Sequence, residues 1–137
     1  MRVVLDTNVV VSGLLSPGGP SGRILDLVAG GKLTVVYDDR IIGEYEEVLA
    51  RPRLAIPVEI AATLLALIER TGVLVPAAPL HVPIPDVDDL PFLEVAAEGA
   101  AVLITGNRRH FDEAASSVGV TVVSPAEFLG LHRGERN

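Results

Sequence analysis

Cysteine is absent from this 137-residue chain, which excludes disulfides and thiolate metal sites. Long apolar runs are missing as well. Hydrophobic residues make up 49% of the chain and mean hydropathy is +0.44. Yet the longest candidate, Ile60 to Ile68, is flanked by Glu59 and Glu69 and falls far short of the roughly 20 residues a bilayer requires. No membrane span is expected. Asp6 interrupts the first apolar stretch, and no small-residue cleavage site follows a long apolar segment, so a signal peptide is not expected and a cytoplasmic chain is. Basic residues are scarce, 11 against 18 acidic ones for a net charge of −7. Affinity for phosphate backbones comes largely from basic groups. Either the partner is not nucleic acid, or several acids are gathered in one site where a metal offsets them. Internal repeats and low-complexity segments are also lacking.

What is present concentrates first at the start of the chain. Arg2 to Leu5 reads as a strand buried on both faces, and Asp6 stands where it ends. In open α/β sheets the ligand crevice lies beyond the carboxyl ends of the strands. Asp6 is therefore placed either to act on a ligand or, with Asn8, to form an Asx turn that caps the next segment. The apolar run continues from Val9 to Leu15 into a loop, Ser16 to Pro20. Ser21 predicts the cap of a helix from Gly22 to about Ala29, and Leu33 to Tyr37 a second strand. Asp38 and Asp39 open a helix that reaches about Ala50. On it, Glu47 falls opposite the apolar stripe, while Glu44 and Glu46 flank the stripe on its two sides. Periodicity does not choose between them.

An amphipathic helix is expected from Pro57 to Arg70 through Val58, Ala61, Leu64, Leu65 and Ile68, then a short strand, Val73 to Val75. Pro76 to Pro85 predicts an extended connection; its His81 has no partner at metal-ligand spacing. Asp86, Asp88 and Asp89 come next, just before a helix that must begin near Asp89, because Pro91 is tolerated only in a first turn. One aspartate explains an N-cap. The others require solvent, a cation or a function, since clustered carboxylates raise one another's pKa unless a cation offsets them.

Ala101 to Thr105 reads as another buried strand, ending in Gly106-Asn107 much as the first ends in Asp6-Thr7-Asn8. Two such strands are candidates for neighbours at one crevice. Arg108 and Arg109 then open a helix to about Ser117, either as a solvated start or as phosphate contacts. His110, beside Phe111, is either packed or functional. Val120 to Val123 is the last strand, and Ser124-Pro125-Ala126-Glu127 has the form of a capping box. The alternation predicts a single three-layer α/β/α sandwich with a largely parallel sheet of about five strands, comprising residues 1–130 and followed by a polar tail, 131–137.

Four segments in order resemble the successive motifs of the PIN domain (PilT N-terminal domain) family: Val3 to Val9 through Ser12, Ile42 to Tyr45 with Val48-Leu49, Asp86 to Ala96, and Val102 to Asn107 through His110-Phe111. The subgroup most similar comprises toxin components of toxin–antitoxin systems, like the VapC ribonucleases. The resemblance covers residue 1 to the vicinity of Phe128. It implies a Mg²⁺- or Mn²⁺-dependent endoribonuclease with Asp6, Glu44 rather than Glu46, and Asp89 as catalytic, metal-binding acids. Asn107 falls at a fourth ligand position usually held by an acid, offering an oxygen without charge. Asn8, Ser12, Asp86 and Asp88 become supporting residues, and Arg108 and Arg109, with Arg51 and Arg53 as further candidates, become contacts for RNA phosphates. The resemblance further implies a homodimer and a cognate antitoxin protein. Hard cations do favour carboxylate, carbonyl and water ligands. Two other readings stay open. One is a catalytically weak RNA-binding or protein-interaction module, suggested by the apolar content and the Pro76–Pro85 segment. The other is a metal-dependent phosphohydrolase for small phosphoesters, disfavoured because Asp6 is followed by Thr7-Asn8 rather than by a second acid.

Overall fold

Val3, Val4 and Leu5 have no exposed surface, as a strand covered on both faces requires, and β1 (Arg2–Leu5) is the middle strand of the sheet. The computed structural model describes residues 1–136, with side chains as far as Arg133. Five strands, β1, β2 (Thr34–Tyr37), β3 (Val73–Leu74), β4 (Val102–Ile104) and β5 (Val122–Val123), form one sheet in the order β3-β2-β1-β4-β5. Every pairing is parallel, with Val3 opposite Val35 on one side and Val102 on the other. The chain winds outward from β1 through β2 to β3, then returns to continue on the opposite side with β4 and β5. The topological switch point thus lies between β1 and β4, where such sheets open a crevice beyond the strand ends.

Helices cover both faces, completing the three-layer sandwich. α2 (Pro20–Ala29) packs between α1 (Thr7–Leu15) and α7 (Pro125–Arg136). α5 (Leu90–Glu98) lies over β1, β2 and β4, beside α3 (Asp39–Leu49), which in turn packs on α4 (Val58–Thr71). α6 (Asp112–Val118) joins β4 to β5. The side chains of the Pro76–Pro85 connection are used by the fold: Ala77, Leu80, Val82 and Ile84 pack against the core. Glu94 of α5, 3% exposed, accepts the Leu80 N–H at 2.7 Å and an Arg40 N–H at 2.7 Å. Arg40 also pairs with Asp38 at 2.7 Å, so one buried carboxylate ties the connection, α5 and the start of α3 together.

Several local expectations are corrected. α1 occupies the apolar stretch read as leading into a loop: three consecutive β-branched valines are poor helix formers, but burial of Val9 and Val10 and a cap from Asp6 hold the helix. α2 starts at Pro20, with Gly19 in the cap position and Ser21 buried in the first turn, because proline suits the first helical position. Val58, expected inward, is 79% exposed, while Leu64 and Ile68 are buried. Arg108 to His110 form a separate 3-10 turn before α6 rather than its first turn. Ser124 and Glu127 do exchange the two hydrogen bonds of a capping box, at 2.8 and 3.1 Å. The helix they open runs to Arg136, so residues 131–136 are helical rather than a tail; Asn137 lies outside the described residues.

Candidate active site

The site is built from the ends of β1 and β4. The Asp6 N–H donates to Ile104 O at 2.9 Å, which sets the two exits side by side. Asp6, 7% exposed, is both a cap and a candidate site group. Its Oδ1 accepts from Thr7 N–H at 2.8 Å, and its Oδ2 accepts from the Thr105 hydroxyl at 2.7 Å. Thr105 has no exposed surface, and its oxygen also accepts the Asn107 N–H at 3.0 Å. This one hydroxyl therefore positions both the first acid and the turn that carries the fourth candidate ligand. Asn8 Oδ1 accepts the Gly106 N–H at 3.0 Å, a second tie between the two strand exits.

Glu44 reaches this region from α3. It is half-buried, and its Oε2 accepts from the Thr7 hydroxyl, whereas Glu46 is exposed. Beneath it, the fully buried Tyr45 donates its hydroxyl hydrogen to Leu5 O, anchoring α3 to the end of β1. Of the three aspartates before α5, Asp86 is occupied locally, its Oδ1 accepting from Asp88 N–H at 2.9 Å. Asp89 makes no capping bond. Its Oδ2 lies 3.2 Å from His110 Nδ1, and His110 Nε2 lies 3.1 Å from Asn107 Nδ2.

Electrostatics binds these groups into one set. The carboxyls of Asp6, Glu44 and Asp89 are all raised from their ordinary values, in each case mainly by burial. Like-charge repulsion adds to burial: Asp89 acts on Asp6, Asp6 and Asp88 act on Glu44, and Asp86 and Glu44 act on Asp89. Hydrogen bonds from Thr105, Thr7 and His110 respectively oppose the rise. Each of the three carboxylates thus feels another of the set, and only a cation or protons would relieve the repulsion. They are grouped but not converged: among the described residues, no three His, Cys, Asp or Glu side chains stand in a closed metal-holding arrangement. The donor set, three carboxylates and an amide, is the oxygen set that Mg²⁺ or Mn²⁺ takes.

A cleft of about 600 Å³ runs beside the acids between α1 and α3. Thr7, Asn8, Val11, Ser12 and Leu15 present one face of α1 to it, opposite Glu44 and Val48. Asp86, Asp88 and Asp89 close one side, while Arg51 and Arg53 line it with Leu54. Arg108 and Arg109 are not part of this lining; Arg108 is held by Glu127 at 2.7 Å and Asp112 at 3.4 Å, and Arg109 is exposed. Thr7 and Thr105 are positioning groups that the sequence did not single out. Their only signal was the repeated pattern of a small hydroxyl residue at the end of an apolar strand.

Fold and site together define an α/β/α protein with carboxylates gathered near the end of the central strand of a parallel sheet, beside an open cleft. The model of the PIN domain matches residues 2–109. An uncharacterised protein of Methanocaldococcus jannaschii is 32% identical over 112 residues, covering 79% of this chain and 72% of that protein. Among solved structures, a chain of VapBC2 from Rickettsia felis, bound to a DNA fragment from their promoter, superposes with a TM-score of 0.57. Its identity is 14%, and the match covers 90% of this chain and 98% of that one. A PilT N-terminus domain protein from Sulfolobus solfataricus P2 aligns with a TM-score of 0.46 at 14% identity, over 95% and 92% of the two chains. The chain belongs to the PIN domain family, whose members are generally nucleases.

Proposed function

We propose that this protein is a metal-dependent endoribonuclease acting as the toxin of a toxin–antitoxin pair. The observation that carries the reading is the gathering of Asp6, Glu44 and Asp89, tied by Thr105, Thr7 and His110, beside an open cleft. In this reading Asp6, Glu44 and Asp89 hold the cation, with the Asn107 amide oxygen as a neutral fourth donor. Held there, Mg²⁺ or Mn²⁺ would supply an acidified water as nucleophile and positive charge for the phosphodiester. The protein's own groups do the remaining work. Thr105 and Thr7 orient Asp6 and Glu44. Asn8 and Ser12 line the cleft, and Asp86 shapes the turn that delivers Asp89. Arg51 and Arg53, which also line the cleft, are placed to contact backbone phosphates, with Arg109 available outside it. This division reconciles the net acidity with an RNA substrate, because part of the acidic excess sits in the cation cradle.

A homodimer and an antitoxin that covers the cleft belong to the same reading; the VapBC2 likeness supports it at the level of fold. The test is cleavage of a structured and an unstructured RNA by the full chain in millimolar Mn²⁺, in EDTA, and as Asp6→Asn. Cleavage that needs the metal and disappears in the variant is expected. Equal cleavage in EDTA, or by Asp6→Asn, would remove the metal role. Binding of RNA without cleavage, unaffected by EDTA, would favour a non-catalytic module.

A further inference from the structure

His110 touches both Asp89 and Asn107, and the chemistry proposed above leaves it unused. Resting on the cation-site reading, we infer that His110 is a positioning residue that makes Asn107 serve in place of a fourth acid. Hydrogen-bond polarity decides the orientation. The Asn107 amide nitrogen only donates, so Nε2, 3.1 Å from it, accepts. The imidazole hydrogen then sits on Nδ1, 3.2 Å from Asp89 Oδ2, which accepts it. The amide oxygen is the pole left to turn toward a cation or a water. An unheld asparagine offers either its oxygen or its amino group with little preference. Held this way, it offers the oxygen, the only pole that can serve a hard cation. The backbone is held too, since the Asn107 N–H is bound to Thr105. The relay from Asp89 through His110 to Asn107 joins the α5 and β4 sides of the site.

The experiment is calorimetric titration of Mn²⁺ into chelator-stripped full chain, as wild type, His110→Ala, Asn107→Ala and the double variant, with metal-free melting of each. Loss of a group that orients a metal ligand typically weakens metal affinity about 10- to 100-fold. Each single variant is expected to show a loss of that order. The double variant should lose less than the product of the two single losses, because the His110–Asn107 contact is common to both; whatever loss His110→Ala still causes in the Asn107→Ala background is the part that acts through Asp89. His110→Gln, whose carbonyl can still accept from Asn107, should recover part of the affinity, whereas His110→Asn, too short to reach it, should not; these two keep the test decisive if His110→Ala folds poorly. Unchanged Mn²⁺ affinity in His110→Ala, or losses that multiply in the double variant, would overturn the inference while leaving the cation site standing. A wild type that binds no Mn²⁺ would bring down the cation-site reading itself, and the role of His110 with it.

Discussion

Asp6 shows how one side chain can satisfy local structure and chemistry together. The cap reading of this residue is realised by one carboxylate oxygen, while the other is held by Thr105 across the strand exits, where the proposed chemistry needs it. Its cost falls on stability. A carboxyl whose pKa is raised in the folded state opposes folding when ionised. The penalty is absent below the ordinary value of 3.8, grows as pH rises from there toward the folded-state value, and is complete above it. In chelator, Asp6→Asn should therefore melt above wild type at neutral pH, with the gap closing on acidification toward that ordinary value. The Asn oxygen can keep the Thr7 N–H bond, so the cap is preserved. A variant that melts below wild type across the whole range would mean the charge is not strained in the free protein. At this scale the sequence was informative about Asp6 because an apolar run ends there. It could not separate Asp86 from Asp89, since which of them turns back on its own backbone is decided by a 2.9 Å contact to Asp88 N–H. Nor could it assign His110, whose partners lie 3 and 21 residues away.

The elements that carry the site are held by contacts that no local pattern announces. Glu44 and Asp89 ride on α3 and at the head of α5, and those helices are joined through Arg40 and Glu94. Breaking a buried ion pair by removing one partner costs about 3–5 kcal/mol. Arg40 is 47% exposed and keeps Asp38, so Glu94→Ala should cost nearer about 2 kcal/mol, discounting for solvent. The Leu80 N–H also loses its acceptor. Urea unfolding would read the stability loss, and limited proteolysis within residues 76–85 should accelerate. A variant as stable and as protease-resistant as wild type would show that Glu94 does not hold the connection. Strands and amphipathic helices were legible because their periodicities are strong. α1 was not, because Val9-Val10-Val11 carries a strand-like composition and its helical state comes from burial and the Asp6 cap. Glu44 and Glu46 flank one stripe alike, and only the packing of α3 against α1 half-buries the first and exposes the second.

For the whole molecule, the parallel sheet explains why residues from four separate stretches meet. Winding outward from β1, then restarting at β4, leaves one gap beyond the strand ends, and Asp6, Asn8, Thr105 and Asn107 lie on its two rims. The strand order was not readable from the sequence, because alternation of strands and helices fixes layers but not neighbours. The acidic balance acquires a meaning with this geometry in the proposed function: acids that repel in the free protein would be relieved by a bound cation. Thermal unfolding of chelated protein with and without millimolar Mn²⁺, on wild type, Asp6→Asn and Glu44→Gln, reads that directly. A ligand bound only to the folded form at about 100 times its Kd adds about 2.7 kcal/mol. Wild type should rise in melting temperature with Mn²⁺, and both variants should respond weakly or not at all. An equal rise in all three, or none in wild type, would contradict a cation site built on these carboxylates.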